Sequence, residues 1–212
     1  MSPKKSKGMN LPNKLTVLRV CLVPVFIVVM MLPASVLDPM ISGLIGVAIF
    51  IAASVTDMLD GKIARRYDLV TDFGKLMDPL ADKFMVIGAL AVIVYRADDG
   101  FLRLFYTLVL LVVIFRELAV TSLRLVASTS AGTVVAANLL GKIKTVVQIV
   151  FIGAVFIEPA LYSISFVNGF LPVWWVEHVP VTYTAGALTL LFTIWSGINY
   201  FTVMWKYLDP EK

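Results

Sequence analysis

Four aspartates stand at helical spacings in a chain that is otherwise strongly apolar. Asp57 and Asp60 are three positions apart, and Asp78 and Asp82 are four apart, so each pair shares one face of a helix. Two such helices can bring their carboxylates to one point. Carboxylate oxygens are hard ligands that suit Mg²⁺ or Mn²⁺ rather than zinc. Four of them favour two ions about 3.5–4 Å apart, and the spacing therefore predicts a two-metal site.

The residues around the four aspartates indicate a phosphorylated ligand. Gly61, Ala64 and Gly74 are small at positions where a larger side chain would block a bulky group. Arg65 offers a planar fork for a phosphate. Other roles stay open, because Asp78 precedes a proline and could cap a helix. The pattern as a whole favours metal ions and a phosphorylated substrate at a membrane surface.

The elements that position these residues are predicted to be transmembrane helices. The 212 residues are 59% hydrophobic and 15% charged, against roughly 25% charged in soluble domains. A carboxylate near the centre of a bilayer costs roughly 2.5–3.5 kcal/mol, so acids there need partners. We expect an all-α integral membrane protein, a bundle of about six transmembrane helices with a cytoplasm-facing polar cavity. The predicted spans are Leu15–Leu32, Met40–Thr56, Pro79–Tyr95, Leu104–Val126, Gly141–Ile157 and Val181–Met204.

The distribution of lysine and arginine predicts the topology. Basic residues cluster near both termini and in Asp57–Lys83, so the positive-inside rule places these parts in the cytoplasm. We expect a multi-pass protein of the cytoplasmic (inner) membrane, with a basic tail at 1–9 and a short cytoplasmic tail at 209–212. Its net charge of +4 is explained by flanks beside anionic lipid, so no nucleic-acid partner is expected.

The cysteine content and the segment before the last predicted span add two further expectations. The single cysteine, Cys21, excludes an intrachain disulfide and a CxxC metal site, and we expect it to be a small buried apolar residue. The segment 159–180 is predicted to lie on the outer side. Its Phe170, Trp174 and Trp175 are typical of anchors at the membrane–water interface.

The acidic stretch carries a resemblance to a known family. It reads Asp57-x-x-Asp60-Gly61-x-x-Ala64-Arg65, then eight residues, then Gly74-x-x-x-Asp78-x-x-x-Asp82. This resembles the complete signature of the CDP-alcohol phosphatidyltransferase family, and the resemblance covers a transmembrane domain at 10–208. The segments Asn10–Arg19, Arg116–Arg124 and Gly141–Thr145 resemble members that use sn-glycerol 3-phosphate.

The resemblance implies a reaction and a set of residue roles. CDP-diacylglycerol and sn-glycerol 3-phosphate would give phosphatidylglycerophosphate and CMP, with membrane lipids around a homodimer. The implied cofactor is Mg²⁺ or Mn²⁺, in two ions. The implied roles are metal binding by Asp57, Asp60, Asp78 and Asp82, general-base action by Asp82, and binding of the cytidine diphosphate group of CDP-diacylglycerol by Gly61, Ala64, Arg65 and Gly74.

The acceptor phosphate requires cations. Arg116 and Arg124 are about two helical turns apart and could face one cavity. Lys142 and Lys144 point to nearly opposite faces. The resemblance favours Lys142 for the acceptor, which leaves Lys144 to lipid headgroups or the cytoplasm. Glu117 is expected to form an ion pair with a neighbouring helix.

Several alternatives remain open from the sequence. Another family transferase could use a different alcohol acceptor, such as inositol phosphate. Membrane-embedded carboxylates also mark ion paths, so a divalent-cation transporter is a candidate of another class. A catalytically inactive scaffold is disfavoured because every signature acid is present. The basic residues could also serve only to fix topology.

Overall fold

The computed structural model describes residues 9–67, 71–131, 139–162, 164, 167 and 169–205. Within these ranges only the backbone is described for 58, 60, 64, 65, 75, 127–131 and 177. The described elements are helices, without a strand among them. They are α1 (Leu11–Met31), α2 (Pro39–Arg66), α3 (Asp72–Arg96), α4 (Gly100–Ala131), α5 (Leu139–Tyr162), α6 (Val173–His178) and α7 (Pro180–Met204).

The first two helices begin where side chains cap them. The Asn10 side chain accepts a hydrogen bond from the backbone N–H of Asn13 at 3.0 Å. Asp38 accepts from the N–H groups of Met40 and Ile41 at 2.9 and 3.2 Å. Both helices also carry a proline in the first turn, where its missing N–H costs nothing. These caps satisfy backbone donors that a helix start leaves unpaired.

Five of the described helices are long and apolar enough to cross a membrane, which agrees with the predicted all-α membrane protein. They cover Leu11–Met31, Pro39–Ile63, Gly100–Val126, Leu139–Tyr162 and Pro180–Met204. Helix α3 contains the predicted span Pro79–Tyr95 but is not among the five, because charged residues crowd its first half. Pro79 lies inside α3, so the alternative in which Asp78 caps a helix is wrong.

The described chain divides into two compact units, Met1–Ala89 (unit 1) and Leu90–Lys212 (unit 2). In unit 1, α1 packs on α2, with the rings of Phe26 and Phe50 at 6.4 Å. A Cβ atom at Gly46 would collide with the Met30 side chain, so a glycine allows this close approach. Cys21 is exposed on α1, and the prediction that it is buried was therefore wrong.

In unit 2, α7 packs against α4 and α5. A Cβ at Gly186 would lie 2.6 Å from the Phe105 ring of α4. Only glycine therefore lets α7 pack this close to α4. The large apolar side chains that point away from the packing, such as Phe115 at 76% exposure, are suited to lipid contact.

The start of α7 is capped from another helix. Its N-cap residue, Val179, has φ 36° and makes no side-chain cap. The buried Glu158 carboxylate of α5 instead accepts from the N–H groups of Val181 at 3.0 Å and Thr182 at 2.6 Å. A carboxylate at a helix N-terminus also interacts favourably with the helix dipole, so Glu158 fixes α7 onto α5.

Candidate active site

Helix α1 contacts the first signature aspartate. Nη1 of Arg19 donates to Oδ1 of Asp57 at 2.6 Å. The Arg19 side chain is 1% exposed and that of Asp57 is 45% exposed. A buried cation inside an apolar helix requires a partner of opposite charge. Arg19 therefore ties the carboxylate to α1 while the Asp57 side chain stays accessible.

The same helix contacts the third signature aspartate. The buried hydroxyl of Thr16 lies 2.6 Å from Oδ1 of Asp78 and 3.1 Å from the carbonyl oxygen of Pro12. A hydroxyl has one proton to donate, and a carboxylate is the stronger acceptor. We conclude that the Thr16 hydroxyl donates to Asp78.

Gly74, a predicted nucleotide-site residue, lies beside the Asp78 carboxylate. A Cβ at this position would lie 3.6 Å from Oδ2 of Asp78 and 3.3 Å from Oδ1 of Asn13. The Thr71 hydroxyl donates to Asn13 at 2.8 Å and accepts from the Gly74 N–H at 3.1 Å. A larger residue at position 74 would narrow the space next to the carboxylate.

The Asp57 and Asp78 carboxylates each have one oxygen suited to a cation. Among the described residues, hydrogen bonds reach Oδ1 of Asp57 and Oδ1 of Asp78 but neither Oδ2. Such oxygens fit Mg²⁺ or Mn²⁺. Asp82 is exposed one turn after Asp78 on α3. The described side chains contain no group of three or more acidic, histidine or cysteine residues that could hold a metal, and the Asp60 side chain lies outside that set.

Three other predicted residues of this region can be placed only in part. Gly61 lies on α2, one position after Asp60. Ala64 and Arg65 also lie on α2, but their side chains are outside the described residues. Thr16 and Arg19 were absent from the predicted site, although both lie within the segment that carried the family resemblance. Their contacts join residues 62 and 38 positions apart, which no local pattern reveals.

In unit 2, the guanidinium of Arg116 is held by the protein. Nη1 donates to Glu117 at 2.9 Å and Nη2 to the Ser196 hydroxyl at 2.7 Å. Arg116 is 9% exposed and lies over the Tyr200 ring at 5.6 Å. Both of its terminal nitrogens therefore have partners within α4 and α7.

Arg124 differs from Arg116 in its exposure and partners. It lies 4.9 Å from the centroid of the same Tyr200 ring, and its Nη2 donates to the Tyr200 hydroxyl. Arg124 is exposed, and Tyr200 is its only partner among the described residues. Its remaining N–H donors form no hydrogen bond with the described residues.

The two lysines of α5 also differ. Lys142 is exposed, whereas Lys144 is 6% exposed and forms an ion pair with Glu117 of α4. The prediction that Lys144 meets headgroups or the cytoplasm was wrong, because the face it shares with Gln148 is buried in unit 2. The predicted ion pair of Glu117 with a neighbouring helix is confirmed.

A cavity of about 580 Å³ lies along α4 and α7. Its lining includes Phe115, Ala119, Leu123 and Ile198, with Arg116 at its wall. The lining is almost entirely apolar, so the cavity does not suit a diphosphate.

Comparison with known proteins identifies the family of this chain. A family model described as CDP-alcohol phosphatidyltransferase matches residues 9–195. The chain is 40% identical over 211 residues to the CDP-diacylglycerol–glycerol-3-phosphate 3-phosphatidyltransferase of Bacillus subtilis (strain 168), covering 96% of this chain and 99% of the relative. Proteins of the same name are 33% identical in Salmonella paratyphi A, over 90% of this chain and 92% of the relative, and in Haemophilus influenzae, over 78% and 88%.

Proposed function

The chain belongs to the CDP-alcohol phosphatidyltransferase family, and from this we propose that it transfers the phosphatidyl group of CDP-diacylglycerol to sn-glycerol 3-phosphate. The products are phosphatidylglycerophosphate and CMP. Similarity along nearly the whole chain to relatives named for this reaction carries the proposal. The chain is a phosphatidyltransferase and a multi-pass membrane protein, and an enzyme of this family replaces the cation-transporter alternative.

Members of this family generally depend on divalent metal ions. Asp57, Asp60, Asp78 and Asp82 would hold two ions, Mg²⁺ or Mn²⁺. The Oδ2 oxygens of Asp57 and Asp78, which accept no hydrogen bond from any described residue, support this assignment. When bound, such ions neutralise charge that develops on the diphosphate as the bond to CMP breaks.

The protein's own residues bind the donor and move one proton. Gly61, Ala64, Arg65 and Gly74 line the cytidine diphosphate group. Asp82 takes the proton from the acceptor's primary hydroxyl. The acceptor oxygen then forms a bond to the phosphorus that bears the diacylglycerol. The bond from that phosphorus to the bridging oxygen breaks, and CMP leaves with the electron pair.

Arg116, Arg124 and Lys142 form the acceptor-binding group in unit 2. Arg124 is its main phosphate ligand, since it is exposed and retains unused donors. Lys142 adds a second exposed charge. Arg116 keeps the region positive, while Glu117 and Ser196 hold its terminal nitrogens.

The proposal also covers the location of the protein and its oligomeric state. We place the protein in the cytoplasmic membrane, with both termini and the aspartates on the cytoplasmic side. Lysine and arginine concentrate near both termini and in the segment that holds the aspartates, and the positive-inside rule places such segments in the cytoplasm. The family resemblance supports a homodimer, which a sedimentation measurement in detergent would test.

Release of labelled CMP from CDP-diacylglycerol tests the function directly. The purified protein should release CMP only with Mg²⁺ or Mn²⁺ and only with sn-glycerol 3-phosphate. Inositol phosphate, supplied at the same concentration, is the matched control for the acceptor. Release that prefers inositol phosphate would contradict the assigned acceptor, and no release with any metal would contradict the function.

A further inference from the structure

We propose that Thr16 and Arg19 of α1 are positioning residues that aim the Asp78 and Asp57 carboxylates at the metal ions. This inference rests on the metal site in the proposed function. It concerns residues outside the aspartate signature, on a helix that carries none of the four acids.

Thr16 and Arg19 each connect α1 by a hydrogen bond to a carboxylate of a different acid-bearing helix. Thr16 and Arg19 are three positions apart, so they lie on the same face of α1. Asp57 belongs to α2 and Asp78 to α3. Each contact joins one carboxylate oxygen to α1 at 2.6 Å. The two side chains of α1 are each 1% exposed, so surrounding packing restricts their movement.

The two oxygens of each carboxylate differ in their hydrogen bonding. Oδ1 of both aspartates is bound to α1, while Oδ2 of both has no hydrogen-bond partner among the described residues. A carboxylate fixed through one oxygen presents the other in a defined direction. Partners that orient metal ligands in this way change metal affinity by about 10- to 100-fold when they are removed.

Arg19 also compensates charge. Asp57 lies in the membrane-span candidate of α2, near Asp60 and Lys62, and the Arg19 guanidinium offsets its negative charge. A lysine at position 19 would keep the charge, but its single ammonium on a flexible stem would not hold the oxygen in the same geometry. The expected defect of Arg19→Lys is therefore in metal affinity.

Equilibrium binding of Mn²⁺ to the full-length protein in detergent, followed by electron paramagnetic resonance, tests the proposal. Thr16→Val keeps the shape and removes the hydroxyl, and it should raise the Kd for Mn²⁺ about 10- to 100-fold. Thr16→Ser restores a hydroxyl and should bind Mn²⁺ nearly as the wild type does. Thr184→Val is the matched control, because among the described residues the Thr184 hydroxyl donates to the Pro180 carbonyl on its own helix.

Thermal unfolding in EDTA separates positioning from folding. Thr16→Val and Thr184→Val should melt alike without metal, and Arg19→Lys should be folded and weakened in Mn²⁺ binding. If Thr16→Val does not fold, the Kd of Arg19→Lys for Mn²⁺ tests the proposal. Wild-type Mn²⁺ affinity in the folded variants would overturn the proposal. Absence of Mn²⁺ binding by the wild type would contradict the metal site itself.

Discussion

The acidic region of unit 1 and the basic region of unit 2 use their charges differently. In unit 1, Asp57 and Asp78 each accept a hydrogen bond from α1 at one carboxylate oxygen. The other oxygen of each accepts none from the described residues. In unit 2, Arg116 and Lys144 are buried and bound to Glu117. Arg124 keeps donors at the surface. The sequence motif therefore identifies the charged residues. Burial and ion pairing determine which of these side chains can contact a ligand.

The largest effect should come from removing an available acidic oxygen. Asp57→Asn should lower kcat for CMP release about 10³-fold, because metal ions contribute several kcal/mol to stabilising a transition state. Asp98→Asn, at an exposed position, is the control and should be active. An active Asp57→Asn variant would show that this carboxylate is not a metal ligand.

The next effect should appear in stability. Glu117→Gln removes the carboxylate that pairs with the buried Arg116 and Lys144, and it should lower the free energy of unfolding by about 3 kcal/mol. Thermal unfolding in detergent measures this. Lys142→Gln removes an exposed charge and should leave the melting temperature unchanged. Equal melting temperatures for the two variants would mean that the Glu117 pairs do not stabilise unit 2.

Loss of the exposed arginine should change acceptor binding. Arg124→Gln should raise the KM for sn-glycerol 3-phosphate about 10- to 100-fold, as expected for lost hydrogen bonds from a charged group. The KM for CDP-diacylglycerol should stay near its wild-type value, which serves as the internal control. An unchanged acceptor KM would remove Arg124 from the acceptor site.

The smallest effect should come from the Tyr200 hydroxyl, which holds Arg124. Tyr200→Phe keeps the ring under both arginines and loses one hydrogen bond worth about 1 kcal/mol, so the acceptor KM should rise about 5-fold. Tyr183→Phe, near the other end of α7, is the matched control. A KM change as large in Tyr183→Phe would indicate a general effect on packing.

Local patterns predicted much of this molecule, and tertiary contacts account for what they missed. Apolar runs located the long helices, and the spacing of the aspartates placed both acid pairs on helices. Helical periodicity separated Lys142 from Lys144 but could not show which of the two faces the interior. Thr16 and Arg19 gain their roles only when α1 packs on its neighbours, which sequence spacing does not encode.

A titration of sn-glycerol 3-phosphate against Asp57→Asn and Arg124→Gln, with CMP release as the readout, tests the division of roles most directly. The account predicts that a large excess of acceptor restores Arg124→Gln to near the wild-type rate, since only acceptor binding is weakened. The same excess should leave Asp57→Asn inactive. Rescue of Asp57→Asn, or failure to rescue Arg124→Gln, would contradict the separation of a metal-binding region from an acceptor-binding region.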